Sequence, residues 1–466
     1  MCEPARIIRA RPIATDGGTL RESAPHRQDG AIGGIQLDEN GVLSNSELTA
    51  LEWVTLEYYI HQVNRENGLV ADKTSKGSPA SIAAVGMALA TAPFQVERGL
   101  TPRGEVARMV LTRLRFFRDS PQGTAPDATG YKGFYYHFLD MKSGRRSGGC
   151  ELSTVDSTFL LAGMLAAATY FDRDSADENE IRTIADALYR RVDWRWAQDG
   201  GASVTHGWTP EKGFLPYRWQ GYDEAMLLYV LGLGSPTYPL PEESYTAWAS
   251  TYKWKRIYDH EFLYSGPLFT HQLSHIWIDF RGIQDAFMRD RGIDYFENSR
   301  RAAYVQREYA TRNPRGFEGY GANCWGFTAS DGPGWTVRTI KGVERRFYDY
   351  IARGVPFGPD DGTIAPWAVV ASLPFAPEIV LPTIKHFMGM DLGVSDVYGF
   401  RSTFNQTFKL DENGPGWVSP YRFGIDQGPI VLMIENYRTG LLWGLMRRCP
   451  YIVEGLRRAH FTNGWL

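Results

Sequence analysis

Apolar residues along this chain recur mostly at helical spacing. Ser44-Asn-Ser-Glu47 has the form of a helix start, and Leu48, Leu51, Val54, Tyr58 and Val63 follow at turns of a helix over 46–64 that Gly68 ends. Ser78-Pro-Ala-Ser81 opens an Ala-rich helix over 82–92 that is apolar nearly all round, hence buried. Thr101-Pro102-Arg-Gly-Glu105 opens an amphipathic one reaching Arg118. The same alternation continues. Ser153-Thr-Val-Asp156 leads into an apolar helix over 157–168, and 180–196 is amphipathic. Met226, Leu227, Leu228, Val230 and Leu231 form a buried helix closed by Gly232, Gly234 and Pro236. Helices are further predicted over 242–254, 269–279, 294–313, 364–373, 377–388, 426–447 with a break at Gly440, and 451–458.

Between these lie irregular stretches. Over 130–146 the alternation of Phe134, Tyr136 and Phe138 with Tyr135, His137 and Leu139 predicts strand and turn. The 208–219 region reads as loop or hairpin, and 316–336 and 397–418 read as irregular. Buried helices alternating with amphipathic ones predict an all-α toroid, an (α/α)6 barrel with short β-hairpins in the loops at one end. Residues 1–42, polar with several Pro and Arg, read as a flexible tail or strap, and 43–466 as one barrel.

Composition narrows the function classes. A net charge of -3 with scattered Lys and Arg gives no footprint for nucleic acid or an anionic membrane. No run of 18 apolar residues predicts a transmembrane helix. The first forty residues hold no apolar signal core, so the sequence as given reads as cytoplasmic, or as periplasmic or secreted if a leader is missing. Cys2, Cys150, Cys324 and Cys449 are too far apart for a zinc spacing, and phosphate-loop and nucleophile-elbow motifs are absent. The 14 Trp and 25 Tyr exceed what a core of this size needs. Trp208, Trp219, Trp325, Trp335, Trp367 and Trp417 are candidate sugar-stacking rings, each with core packing as the competing reading.

Five segments place acids in a loop or first turn ahead of an apolar stretch. They are Glu151 with Asp156, Asp223 with Glu224, His271 to Asp285, Asp360 with Asp361, and Asp426 with Gln427. Any one of them alone reads as an N-cap or a salt bridge. Repeated around a barrel, the form aims several carboxylates at one cavity. Two carboxylates across a sugar are what glycoside hydrolysis needs, one protonating the leaving group and one activating water or attacking carbon. Tyr217, Trp219 and Tyr222 beside Glu224 supply an apolar wall that can raise its pKa. His271, His275 and Asp279, at i, i+4 and i+8, could hold a metal, but hydrogen bonding to sugar hydroxyls or a carboxylate is the favoured reading. No cofactor or metal is expected.

Several stretches carry a family resemblance: Gly133-Phe-Tyr-Tyr-His-Phe-Leu-Asp-Met141, Glu151-Leu-Ser-Thr-Val-Asp156, Gly221-Tyr-Asp-Glu-Ala-Met226, His271-Gln-Leu-Ser-His275 with Asp279 and Arg281, Gly424-Ile-Asp-Gln-Gly-Pro429, and Ile434-Glu-Asn-Tyr-Arg-Thr-Gly440. Over roughly 50–455 the chain resembles the bacterial glucoamylase-like family, which holds the endo-β-1,2-glucanases and is similar to a domain of cyclic β-1,2-glucan synthases. The resemblance implies an (α/α)6 barrel with a cleft at one end. It implies a β-glucan hydrolase acting on an oligo- or polysaccharide, most specifically β-1,2-glucan, with inversion favoured over retention at the anomeric carbon. Glu224 is then the general acid and Asp426 the first-ranked base, with Asp156 and Glu151 as further candidates. Tyr222, Asp223, His137, Asp140, His271, His275, Asp279, Arg281, Trp325, Asp361 and Gln427 are the substrate-binding candidates. A transglycosylase on the same glucan and a non-catalytic glycan-binding protein are the rival readings.

Overall fold

The structure is a computed structural model and describes residues 43–393, 396–411 and 414–466. The tail or strap expected over 1–42 lies outside the described residues.

Helices dominate and come in two kinds. The first kind is buried along nearly its whole length: α1 (Ile82–Ala90), α2 (Thr154–Tyr170), α3 (Met226–Leu233), α4 (Leu273–Trp277), α5 (Pro366–Val370) and α6 (Gly424–Arg438). A segment such as Ile-Ala-Ala-Val-Gly-Met-Ala-Leu-Ala has no polar face to turn to water, so it is stable only inside. α1 packs on α2, α2 on α3, α3 on α4, α4 and α5 on α6, and α6 on α1. Gln272, just ahead of α4, donates to the Ala368 carbonyl and to Ser372 Oγ (2.5 and 2.8 Å), which ties α4 to α5.

The closest approach is between α1 and α2. A Cβ on Gly163 would lie 2.1 Å from the Gly86 carbonyl oxygen, and one on Gly86 would lie 2.3 Å from the Phe159 carbonyl oxygen. Both positions need glycine because backbone meets backbone there.

The second kind is amphipathic and lies outside the first. Asn45–Leu56 packs on α6, Pro377–Met388 on α5 and Pro450–Arg458 on α3. Arg103–Asp119 packs on Ala176–Arg190, which also packs on α2. In Ala176–Arg190 the buried side is Ile181, Ile184, Ala185, Leu188 and Tyr189, at helical spacing. The chain is thus mostly helical and of the α/α-barrel type.

Several expected elements shift. The helix expected over 180–196 begins earlier, because the Ser175 hydroxyl caps the Glu178 amide, and ends at Arg190. The one expected over 242–254 is only Glu243–Ala249, and Trp254–Ile257 instead pairs antiparallel with His260–Leu263. The one over 269–279 divides into a 3-10 turn, Leu268–His271, and the short α4. Ala286–Arg291 is a helix that periodicity did not reveal, capped by Asp285 on the Met288 amide.

Strands fill the loops. A five-stranded antiparallel sheet runs in the order Gly130–Tyr131, Phe134–Tyr136, Leu152–Ser153, Gly207–Thr209, Gly213–Phe214. It joins the segment ahead of α2 to the segment ahead of α3. Thr336–Ile340 pairs with Val343–Phe347, and Phe404–Lys409 with Gly416–Val418, inside stretches expected to be irregular or solvated.

Candidate active site

The site is built from the first turns and leading loops of α1, α2, α3 and α6. Asp156 stands in the first turn of α2, where the cap residue Ser153 donates its hydroxyl to Asp156 Oδ2 at 2.5 Å and accepts the Asp156 amide at 3.2 Å. The sheet places His137 against it. His137 Nδ1 lies 2.8 Å from Glu151 Oε1, and Nε2 lies 3.6 Å from Asp156 Oδ2. Burial works against a charge on His137, but Asp156, Glu151 and Asp72 outweigh it and hold the imidazole protonated, its pKa pushed up to about 9. For Glu151 burial likewise opposes ionisation, and the His137 contact prevails and lowers its pKa.

Asp223 and Glu224 precede α3. Asp223 Oδ1 accepts from Trp248 Nε1 (2.9 Å) and from the Ala225 amide (3.0 Å). Burial outweighs both bonds and lifts its pKa to about 7. The Glu224 carbonyl accepts from Ser274 Oγ at 3.1 Å, which fixes the turn against α4. The residue is half-buried, and among the described residues no other side chain hydrogen-bonds its carboxyl. Burial, then Asp223, then Asp156 raise its pKa to about 8. A carboxyl still protonated at neutral pH can give up a proton in a reaction.

Asp426 lies in the first turn of α6 and is buried. Ser402 Oγ donates to Asp426 Oδ2 at 2.6 Å. Burial, with Asp331 and Asp72 as neighbouring charges, holds its pKa well above the aspartate range despite the Ser402 bond. The Asp331 carboxylate accepts from Thr403 Oγ1 (2.7 Å) and Ser419 Oγ (2.5 Å).

These groups form one electrostatic unit. Tyr350 is 55% exposed, yet its phenol stands near enough to Asp426, Glu224, Asp72 and Asp156 that crowding by protein and these four charges hold its proton on. Asp72 joins from the loop before α1. Its carbonyl accepts the Gly424 amide at 2.7 Å, at the start of α6, and burial raises its carboxyl pKa.

Of the residues singled out from sequence, the structure therefore brings together Glu151, Asp156, Asp223, Glu224, Asp426 and His137. Gln427 is buried next to Asp426. Tyr222 is buried, with its ring stacked on Tyr295 at 5.7 Å and edge-on to His271 at 5.0 Å.

Other candidates are committed elsewhere. Asp140 binds the Lys142 and Ser143 amides and the Ser143 hydroxyl of its own exposed turn. His271 and His275 are 1% exposed. His271 Nε2 meets the Ser265 carbonyl, His275 Nε2 meets Ser299 Oγ, and burial pushes their pKa values down to about 4 and 3. They are neutral core histidines, and the break at Gln272 removes the single helix face on which three metal ligands would have lined up. Asp279 is buried in ion pairs with Arg281 and Arg447 beyond the C-terminal end of α4, away from the first turns that carry the acids. Trp325 is fully buried and donates to Thr383 Oγ1. Asp361 is fully buried on Arg353. Enclosure takes His271, His275, Asp279, Trp325 and Asp361 out of solvent, while Asp140 and Arg281 stay exposed. Among the described residues no three His, Cys, Asp or Glu side chains are grouped to hold a metal ion.

Residues missed from sequence also belong here. Asp72 had a signal, since it precedes Ser81 and the apolar α1 in the same acid-then-apolar form as the five segments noted above. Asp331, Ser402 and Tyr350 had none, because long-range folding of irregular loops brings them in. Arg353 is buried and fastens those loops, donating to the carbonyls of Ser330, Asp331, Tyr348 and Asp349 and to both Asp361 oxygens.

Comparison with known proteins follows this geometry. Residues 216–450 match the family model described as "Putative glucoamylase". A Bacteroides uniformis protein solved under that same description is 33% identical, with 91% of this chain and 99% of that one aligned at a TM-score of 0.79. The endo-β-1,2-glucanase of Chitinophaga pinensis, solved with sophorotriose and glucose, is 26% identical over 91% of this chain and 100% of that one, at a TM-score of 0.79. The exo-β-1,2-glucooligosaccharide sophorohydrolase of Parabacteroides distasonis is 27% identical over 444 residues, 88% of this chain. The chain spans 57% of the length of that curated relative. With the match over 216–450 and one-third identity along nearly the whole of a solved relative, the chain belongs to the glucoamylase-like family.

Proposed function

We propose that the chain is a glycoside hydrolase that cleaves β-1,2-glucan by carboxylate acid and base catalysis, within a closed (α/α)6 barrel over 43–466 whose hairpins stand at the active-site end. The observation that carries this is Glu224. Its carboxyl is held protonated to about pH 8 by burial and by Asp223, in one electrostatic unit with Asp156, Asp72, Asp426 and Tyr350. The relatives named as β-1,2-glucan hydrolases, aligned over about nine-tenths of the chain, supply the linkage.

Glu224 protonates the glycosidic oxygen as the bond breaks. Asp426, once ionised, is the base that takes the proton of the attacking water, with inversion at the anomeric carbon. A raised pKa makes it a stronger base at the cost of activity in acid. Ser402 holds its Oδ2 and so orients the carboxylate. Asp156 and Glu151, paired with the His137 cation, are the anionic wall and the second-ranked site for the base. The protein requires no cofactor in this scheme.

The test is incubation of the purified protein, and of Glu224→Gln, with linear β-1,2-glucan, reading product size and anomer. Sophoro-oligosaccharides of one dominant anomer are expected from the wild type, and a loss of about 10³-fold or more from E224Q, with glucan binding kept. Full turnover by E224Q sinks the assignment of the acid. Products longer than the substrate would instead identify a transglycosylase.

A further inference from the structure

The segment from Asp331 to Phe357 carries an unusual share of the exposed apolar surface. Trp335 is 62% exposed, Tyr350 55% and Phe357 66%, with Val337 and Val343 at about half. Single exposed apolar residues are ordinary, but several on one short segment mark a surface that meets something. The hairpin in this segment is not loosely held. Tyr348 donates its amide to Asp361 Oδ2 at 3.0 Å, the Gly334 amide donates to the Tyr348 carbonyl at 3.2 Å, and Arg353 clamps both ends of the segment. Trp335 and Tyr348 meet edge to face with ring centroids 5.4 Å apart, so the pair is preorganised.

The position of this pair is set by its neighbours in sequence. Four residues before Trp335 is Asp331, hydrogen-bonded to the strand and loop that carry Thr403, Ser402 and Ser419 beside Asp426. Two residues after Tyr348 is Tyr350, whose phenol stands among Asp426, Glu224, Asp72 and Asp156. The aromatic pair is thus continuous with the acid cluster on both of its strands, within about 14 Å of backbone.

We infer that Trp335, braced by Tyr348, is a stacking platform for glucosyl units of a β-glucan chain that extends past the reacting bond, so that the protein favours long substrates over short ones. The inference rests on the glucan-hydrolase reading and adds a binding surface and a length preference to it. A sugar ring offers a flat C–H face, and an indole covers it with two rotatable bonds to order. A protein ligand is less suited to this surface. The hairpin around the pair is densely charged, with Arg338, Lys341, Glu344, Arg345 and Arg346, and a protein interface core is depleted in charge.

The experiment compares kcat/KM on purified β-1,2-gluco-oligosaccharides of increasing length for the wild type, Trp335→Ala and Trp335→Phe. In the wild type kcat/KM should climb with length. In W335A the climb should flatten, with KM on the longest substrate raised about tenfold and kcat moving less. W335F should recover most of the difference, which separates loss of a stacking ring from disturbance of the hairpin. Titration of long glucan onto the inactive E224Q and onto E224Q/W335A should show the same weakening without turnover. A length profile in W335A that matches the wild type overturns the platform and leaves the hydrolase reading standing. A wild type that neither cleaves nor binds these oligosaccharides overturns both.

Discussion

The imidazole of His137 bonds the Glu151 carboxylate through Nδ1 at 2.8 Å and turns its other nitrogen to Asp156. Asp72 is the third acid near it, with Lys73 and Arg146 as the cations close to Asp72 and Glu151. The His137 cation keeps the Glu151 carboxyl below its usual range, which burial would otherwise resist. His137→Gln keeps a hydrogen-bonding group and removes the charge. Its expected effect is a fall in kcat of about tenfold or more near neutral pH and a Glu151 pKa moved upward, read by carboxyl NMR titration, as that acid loses the cation that lowers it. A variant with lower kcat and an unmoved Glu151 titration would show that His137 only shapes the loop.

Activity should follow a bell in pH. Glu224 must be protonated, so the rate falls as pH rises through about 8. Asp426 must be ionised, and its pKa is raised by burial and by Asp331 and Asp72, so the rate falls as pH drops through a value above the ordinary aspartate range. The optimum then lies below about 8, between limbs that belong to the coupled acids as a group. Asp331→Asn removes one of the raising charges. The acid limb should move to lower pH, as measured by kcat/KM across a buffer series.

Much of this architecture is legible in sequence, and the division has physical causes. Segments such as 82–92 and 226–231 are apolar on every side, so only the interior suits them, and Pro377–Met388 is bounded by its own prolines and glycine. Acids at the head of an apolar helix gave Asp156, Glu224 and Asp426, because a helix N-terminus fixes where its first-turn side chains point. The same form misled at Asp361, since nothing in the local sequence reveals that Arg353 will arrive to bury it. The i, i+4, i+8 spacing of His271, His275 and Asp279, disfavoured as a metal site, does not survive as one helix face, because spacing assumes an unbroken helix. Tyr350 and Asp331 were out of reach, being delivered by a hairpin whose strands alternate weakly and whose register depends on partners far along the chain.

Gly163 meets Gly86 where α1 and α2 touch backbone to backbone. Gly163→Ala has no room for its methyl, and the listening partner is a carbonyl that cannot swing aside. The expected cost is about 1–3 kcal/mol, the usual price of overpacking. Because Asp156 rides on the first turn of α2, the variant should also lose activity in the fraction that stays folded. Chemical denaturation and single-turnover rates on the same preparation check both. An unchanged midpoint would show that the two helices have freedom to separate.

Arg353 and Asp361 form an ion pair with both side chains at or below 1% exposure. Arg353→Met should destabilise the protein by about 3–5 kcal/mol, because Asp361 is left charged and buried, and four loop carbonyls lose their donor. Removing both charges, as in Arg353→Met with Asp361→Leu, should restore part of that stability, since the desolvated charge is gone. It should not restore activity. The carbonyls of Asp331 and Asp349 remain unfastened, so the loop no longer holds Asp331 beside Ser402 or Tyr350 over the acids. Thermal melting together with kcat on β-1,2-glucan separates the two effects. A double variant that regains both stability and turnover would show that the clamp serves the fold alone.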